Sequence, residues 1–258
     1  MLSSSIKNSL LSIIYDLGNE AESIKKTNLD IDFKEDSSPI TKADRLINNE
    51  LNKFFAKTSF KNIISEENAL VSYSERSKWK YFWCIDPIDG TKEFIGRGTD
   101  YTINVALCMK DQPVFSVVYA PARKEVFVAE KGQGSKKNNL KISVNKSYSK
   151  FVNIAASKSH LNEETSLFIE AIKKNYHVNL LQYGSSLKLC KVAEGEADIY
   201  PRFGPTMEWD TCAADLILKE AGGHILNLDN QKISYNKKNL LNPNFVAIGN
   251  LKYIEDKK

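Results

Sequence analysis

Two carboxylates, Asp86 and Asp89, stand three residues apart in Trp83-Cys84-Ile85-Asp86-Pro87-Ile88-Asp89-Gly90-Thr91-Lys92-Glu93-Phe94. The apolar, aromatic run from Tyr81 to Ile85 reads as the end of a buried strand. Pro87 fixes its own φ and turns Asp86 away from helix. Gly90 permits a sharp turn, and Thr91 can begin a short helix. Two acids therefore leave one strand aimed at nearly the same point. Like charges that close need a proton or a cation between them at neutral pH. The helix start just beyond offers backbone N–H groups to an anion. A cation site beside an anion site is the arrangement that metal-assisted phosphate chemistry requires. An ordinary Asp-Gly surface turn explains either acid alone, but not an apolar strand that delivers both.

Four further acids have an ordinary reading beside the chemical one. Asn62-Ile63-Ile64-Ser65 is a short strand that ends in Glu66-Glu67, which is either a solvated pair or a second delivery of acids at a strand end. Asp44 falls in the first turn of a helix, where the dipole alone favours an acid. Trp209-Asp210-Thr211 opens another helix, with Asp210 at the N-cap position and Gly222-Gly223 ending it. Asp210 is either a cap or an acid facing those of the strand across a cleft.

The elements that must position these groups follow from periodicity. Ile6, Leu10, Ile13, Ile14, Leu17, Ala21 and Ile24 give an amphipathic helix over residues 5 to 25. Residues 27 to 41 read as loop, and Lys42 to Ala56 as a helix. Strands at Thr102 to Met109, Val114 to Tyr119 and Glu125 to Ala129 have short spacers and suggest an antiparallel meander. Lys131 to Asn139 reads as a loop, and Leu140 to Val144 as the closing strand. Beyond it α and β alternate: strands at Phe151 to Ala156, His177 to Leu181 and Ala197 to Tyr200, helices at Asn162 to Asn175, Ser185 to Glu194 and Thr211 to Ala221, and strands at 224–228 and 244–249. The pattern predicts an N-terminal α+β unit, 1–147, carrying most of the acids, and a C-terminal α/β unit, 148–258, completing the site. The boundary falls in Asn145 to Lys150.

With 258 residues, 42% hydrophobic and 26% charged, the chain can bury a sizeable core. The net charge of +4 comes from 36 basic and 32 acidic residues that are interspersed, which suits a small acidic substrate and does not call for nucleic acid. Cys84, Cys108, Cys190 and Cys212 lie far apart in sequence and read as reduced core residues of a cytosolic protein. The three histidines are scattered, which argues against zinc. No membrane span and no signal peptide is expected.

Asp86-Pro87-Ile88-Asp89-Gly90-Thr91, Trp209-Asp210 and Glu66-Glu67 together resemble the motifs of the lithium-sensitive, magnesium-dependent sugar-phosphatase superfamily that includes inositol monophosphatase. The continuation Lys92-Glu93-Phe94-Ile95, with Asp36-Ser37-Ser38-Pro39-Ile40-Thr41-Lys42-Ala43-Asp44 and Tyr183-Gly184-Ser185-Ser186-Leu187-Lys188, is most similar to the CysQ branch, the 3′(2′),5′-bisphosphate nucleotidases. The resemblance spans nearly the whole chain. It implies a layered α/β/α/β/α sandwich. It implies Glu66, Asp86, Asp89, Asp210 and the Ile88 carbonyl as ligands of two or three Mg2+ ions, with Asp44 and Thr91 orienting the attacking water and Glu66 sharing in catalysis. Gly90 and Thr91 N–H groups would hold the phosphate, beside Ile88, Asp89 and Asp210. His160, Ser185, Lys188 and Arg202 would take the nucleotide. All proposed ligands are hard oxygens, which suit Mg2+.

The implied reaction is hydrolysis of adenosine 3′,5′-bisphosphate to AMP and phosphate in sulfur metabolism, extending to the 3′-phosphate of 3′-phosphoadenylyl sulfate. An inositol or sugar monophosphatase is the enzymatic alternative, and an inactive binding protein on the same fold the other. The resemblance leaves open monomer or homodimer, and a cytoplasmic protein either free or peripheral at the inner membrane.

Overall fold

The computed structural model describes residues 2–27, 29–34, 37–157 and 162–255. Asp36 and His160, both named above, lie outside them. The helices are α1 (Ser4–Lys25), α2 (Lys42–Ala56), α3 (Tyr73–Arg76), α4 (Thr91–Ile95), α5 (Glu163–Lys173), α6 (Leu187–Ala193), α7 (Glu208–Glu220) and α8 (Lys252–Glu255). The strands are β1 (Asp32–Phe33), β2 (Pro39–Ile40), β3 (Ile63–Ser65), β4 (Tyr81–Asp89), β5 (Thr102–Met109), β6 (Gln112–Ala120), β7 (Glu125–Glu130), β8 (Gly134–Lys137), β9 (Leu140–Ile142), β10 (Phe151–Ser157), β11 (His177–Tyr183), β12 (Ile199–Arg202), β13 (His224–Asn227) and β14 (Phe245–Ile248).

Two large sheets carry the molecule. The first has seven strands in sequence order from β3 to β9; β3 runs parallel to β4, and every later pair is antiparallel. The second has the order β11-β10-β12-β14-β13 and is mixed. Helices α1 and α2 cover one face of the first sheet, burying Leu10, Ile14, Ile47 and Leu51 against Trp83, Val105 and Val117. Helices α6 and α7 fill the space between the sheets. Outside the second sheet, Ile169 and Ile172 of α5 and Tyr253 of α8 pack on Ile154 and Ile248. The result is the expected five-layer α/β/α/β/α sandwich. The chain passes from the first sheet to the second between Ile142 and Phe151.

Three local expectations need correction. Residues 32–40 are not all loop: β1 and β2 pair as a short hairpin, Asp32 opposite Ile40 and Phe33 opposite Pro39. Strands of two residues, none of them buried, leave no alternation to read. The Gly/Lys/Asn tract expected as a loop contains β8, a polar strand whose buried member, Ser135, donates to Ile217 O at 2.6 Å. Ser185 is not helical; it sits before α6 in the left-handed region, with φ 55°.

The packing of α1 on the sheet runs through Gly18, deep in the helix. A Cβ there would lie 2.3 Å from the Tyr119 ring and 3.0 Å from Pro121. Tyr119 cannot swing away easily, because it is buried and meets Tyr15 edge to face, ring centroids 5.1 Å apart. Gly18→Ala gains helix propensity, about 1 kcal/mol, but overpacks this contact, which typically costs about 1–3 kcal/mol. The expected outcome is a lower Tm in thermal unfolding; an unchanged or higher one would show that the helix can shift to make room.

Candidate active site

The acids meet because of a bulge. Along a regular strand, residues three apart face opposite sides. In β4 the pairing runs Asp86 with Asn104 and then Asp89 with Thr102, so three steps on β4 match two on β5. The extra residue returns Asp89 to the side that Asp86 faces. Beside them, β3 pairs in parallel register, Ser65 opposite Ile85, and delivers Glu66 at its end. Helix α7 brings Asp210 from the middle layer. One carboxylate oxygen each from Glu66, Asp86 and Asp210 lies within 4.8 Å of the other two.

Asp210 is not the N-cap of α7. Met207 holds that position and Asp210 is the third helical residue, its Oδ2 accepting the Met207 N–H at 2.8 Å. The carboxylate thus holds the helix start from inside the first turn and still faces the cleft. Asp44 occupies the same position in α2, where its Oδ2 accepts from the Thr41 N–H at 2.8 Å and the Thr41 hydroxyl at 2.5 Å. Burial pushes the pKa of Asp44 up to about 6, against those Thr41 bonds.

The cluster is electrostatically loaded. Asp86 is 1% exposed, and its Oδ1 has no hydrogen-bond partner among the described residues. Burial first, then the charges of Glu66, Asp89 and Asp210, raise its pKa far above the ordinary carboxylate range. Asp210 is raised by burial and by Asp89, despite the Met207 bond. Glu66 is raised by burial as well, although Lys34 reaches it at 2.7 Å. That lysine also contacts Glu67 at 2.6 Å, and the two carboxylates outweigh its own burial, so its pKa rises. Reading residues 27–41 as a loop misses Lys34, because nothing local marks a lone lysine as a partner of acids 32 residues on. An orphaned buried carboxylate oxygen among converging hard-oxygen donors fits a divalent cation such as Mg2+.

Asp89 has a second set of partners. Its Oδ2 accepts from the Ser185 hydroxyl and the Ser186 N–H, both at 2.6 Å, and from Asn104 Nδ2 at 3.3 Å. The Thr91 hydroxyl donates to Ile88 O at 3.0 Å, just after Gly90 turns the chain with φ 88°. Glu66, Asp89, Gly90, Thr91, Ser185, Lys188, Arg202 and Asp210 all line one cleft of about 260 Å3. Asp44, Asp86 and Ile88 sit behind its wall, almost fully buried. Lys188 is 5% exposed; its Nζ donates to Ser185 O at 2.8 Å, and burial pushes its pKa down to about 8. Arg202 donates to Pro205 O at 3.0 Å, while its buried Nε has no partner among the described residues. Sequence reasoning named neither Glu93 of α4 nor the edge-to-face pair Tyr200 and Phe245 as site residues, although all three line the same cleft. Tyr200 could have been found from its place two residues before Arg202.

A five-layer sandwich with converging acids and cations on one cleft defines a class, the metal-dependent phosphatases of the inositol monophosphatase type. The inositol monophosphatase family model matches residues 4–256, and the chain belongs to that family. Its resemblance within the family runs to the CysQ branch. The 3′(2′),5′-bisphosphate nucleotidase CysQ of Haemophilus influenzae is 33% identical over 256 residues, covering 96% of this chain and 94% of that protein. The CysQ nucleotidase of Salmonella typhimurium is 36% identical over 217 residues, covering 82% and 86%. The crystal structure of CysQ from Bacteroides thetaiotaomicron, 36% identical, superposes with a TM-score of 0.83, covering 94% of this chain and 97% of that one. Among the described residues no helix is long and apolar enough to cross a membrane.

Relief of the crowding can be measured without turnover. Asp210→Asn keeps an acceptor for the Met207 N–H and removes one negative charge from the cluster. In EDTA at neutral pH the variant is expected to melt higher than wild type, by the equivalent of about 1 kcal/mol, and to lose the Tm rise that Mg2+ gives wild type. A variant that is less stable than wild type and keeps the full Mg2+ rise would mean that Asp210 serves only the helix start.

Proposed function

We propose that this chain is a magnesium-dependent phosphomonoesterase that removes the 3′-phosphate of adenosine 3′,5′-bisphosphate to give AMP and phosphate. The single observation that carries the reading is one cleft lined by both signs of charge: Glu66 and Asp210, which converge with the buried Asp86, and the cations Lys188 and Arg202. The matched relatives, named as nucleotidases of this specificity, support it. The same chemistry extends to the 3′-phosphate of 3′-phosphoadenylyl sulfate.

Glu66, Asp86, Asp89, Asp210 and the Ile88 carbonyl would hold two or three Mg2+ ions. Magnesium bound there supplies a more acidic attacking water and neutralises charge on the leaving oxygen. Thr91, at the start of α4, and Asp44, locked on Thr41, would orient the attacking water, and Glu66 would share the role. The N–H groups of Gly90 and Thr91 receive the reacting phosphate. In the other half of the site Lys188 and Arg202 take the second phosphate, Arg202 through its planar fork. We assign the N-terminal half, 1–147, most of the metal ligands, and the C-terminal half, 148–258, the grip on the nucleotide, to which Ser185 and His160 belong.

Phosphate release from adenosine 3′,5′-bisphosphate should require Mg2+ and stop in excess EDTA. Wild type should prefer this ester strongly over inositol 1-phosphate, and a Lys188→Ala/Arg202→Ala double variant should lose that preference. Equal slowing of both esters would return the assignment to a general monophosphatase.

The depressed pKa of Lys188 adds a pH signature. Below about 8 it is a cation, and above that it is neutral. The kcat/KM for the bisphosphate, which reports the free enzyme, should therefore fall as pH rises through about 8, and Lys188→Arg should flatten the fall. An unchanged profile in Lys188→Arg would remove Lys188 from substrate binding.

A further inference from the structure

Asp100, just before β5, does not line the cleft, yet it ties together three parts of the chain. It is 1% exposed. Its Oδ2 accepts the Gly184 N–H at 3.1 Å, and its Oδ1 accepts Arg123 Nε at 2.9 Å and a second guanidinium nitrogen. Arg123 comes from the short 3-10 helix Pro121–Arg123 that follows β6, and Gly184 follows β11 of the second sheet. The approach at Gly184 is close enough that a Cβ there would lie 2.8 Å from Asp100 O and 2.9 Å from Asp100 Cβ. No side chain fits that gap.

The turn anchored in this way, Gly184-Ser185-Ser186, touches both Asp89 and Lys188. Ser185 is held in the left-handed region, uncommon for a residue with a side chain. Its hydroxyl and the Ser186 N–H grip Asp89, and both serine hydroxyls meet Thr102 Oγ1, at 2.6 and 2.8 Å. Helix α6 begins immediately after, and Lys188 reaches back to Ser185 O. The position of Lys188 relative to Asp89 is therefore set by one turn, and that turn is pinned upstream by Asp100.

We infer that Asp100 is a positioning residue for substrate choice: by holding Gly184 it fixes the span between the acids and Lys188, and so matches the cleft to an ester carrying a second phosphate. This role rests on the nucleotidase activity proposed for the same cleft. The carboxylate form matters because two oxygens must both accept, one from Gly184 and one from Arg123. An asparagine has one accepting oxygen, so it must turn its NH2 towards one of those donors. Losing the latch should loosen the turn more than the acids, which β3, β4 and α7 hold independently.

The test compares wild type with Asp100→Asn and with Gly184→Ala, which opens the same contact from its other side. Adenosine 3′,5′-bisphosphate and adenosine 3′-phosphate differ only in the 5′-phosphate. The ratio of their kcat/KM values should fall about tenfold in both variants, chiefly through KM for the bisphosphate. AMP carries the 5′-phosphate, and its Kd in EDTA, by calorimetry, should rise by a similar factor, independent of any metal. If both variants melt lower but keep the wild-type ratio and AMP affinity, Asp100 serves only the fold, and the inference is overturned. Should Asp100→Asn not fold, Gly184→Ala alone decides between these two outcomes. Wild type showing no preference for the bisphosphate would instead remove the nucleotidase reading itself, a result the variants cannot produce.

Discussion

Mutual repulsion among carboxylates is the constraint around which the rest of the molecule is arranged. Glu66, Asp86 and Asp210 come from three different elements, and left to themselves they would separate. Each is held by something that does not depend on the charge. Glu66 follows a strand paired in parallel with β4. Asp86 lies within the nine-residue strand β4, inside the sheet. Asp210 is fixed by the first turn of α7, whose apolar side is buried between the two sheets. Burial of that helix, at roughly 25 cal/mol per Å2 of apolar surface, can hold an acid where its neighbours repel it. Lys34 relieves part of the load, but its contacts go to Glu66 and Glu67; Asp86, deeper in, keeps an oxygen without a partner among the described residues.

Asp89 plays a different part from the other acids. Its Oδ2 is occupied by donors from the second half of the chain, so it acts as the joint between the acidic end and the turn that leads to Lys188. The bulge in β4 makes this joint possible. Without the extra residue Asp89 would point to the opposite face, towards α1 and α2, where an unpaired carboxylate would be severely penalised. One irregularity in one strand therefore serves the acid cluster and the contact between halves together.

Much of this was legible in the sequence, because burial writes a period into it. The stripes of α1 and α2 and the apolar runs of β4 to β7 marked out the layers and the meander. The acids at strand ends stood out as polar residues at the end of apolar runs. What escaped was whatever lacks a period. The β1–β2 hairpin is too short to alternate, and β8 is polar with its one buried side chain a serine. The N-cap of α7 is Met207, a residue type outside the usual caps, so Asp210, three positions on, took its place in the reading. Lys34 and Asp100 are ordinary charges until the fold sets their partners beside them. The four cysteines looked dispersed, yet Cys108 and Cys212 bring their sulfurs to 3.2 Å in the core, because β5 and α7 pack face to face.

The distribution of charge in the cleft also explains why discrimination cannot reside in the acids. In the proposed function their chemistry would serve any phosphate ester, since what they would gather is positive charge for the reacting group. Selection must come from groups whose own energetics improve only when a particular substrate arrives. In the proposed function Lys188 is such a group. Its burial disfavours the ammonium, the nearby Arg202 disfavours it further, and Asp89 offsets only part of this. Arg202 carries a buried Nε with no acceptor among the described residues. A second phosphate placed between them would satisfy both, whereas an ester without one leaves the buried Lys188 ammonium beside Arg202 unanswered. The cleft thus holds uncompensated groups of both signs. In the proposed function a monophosphate would answer only the acids, through the cations they hold, and a bisphosphate would answer both sets of groups.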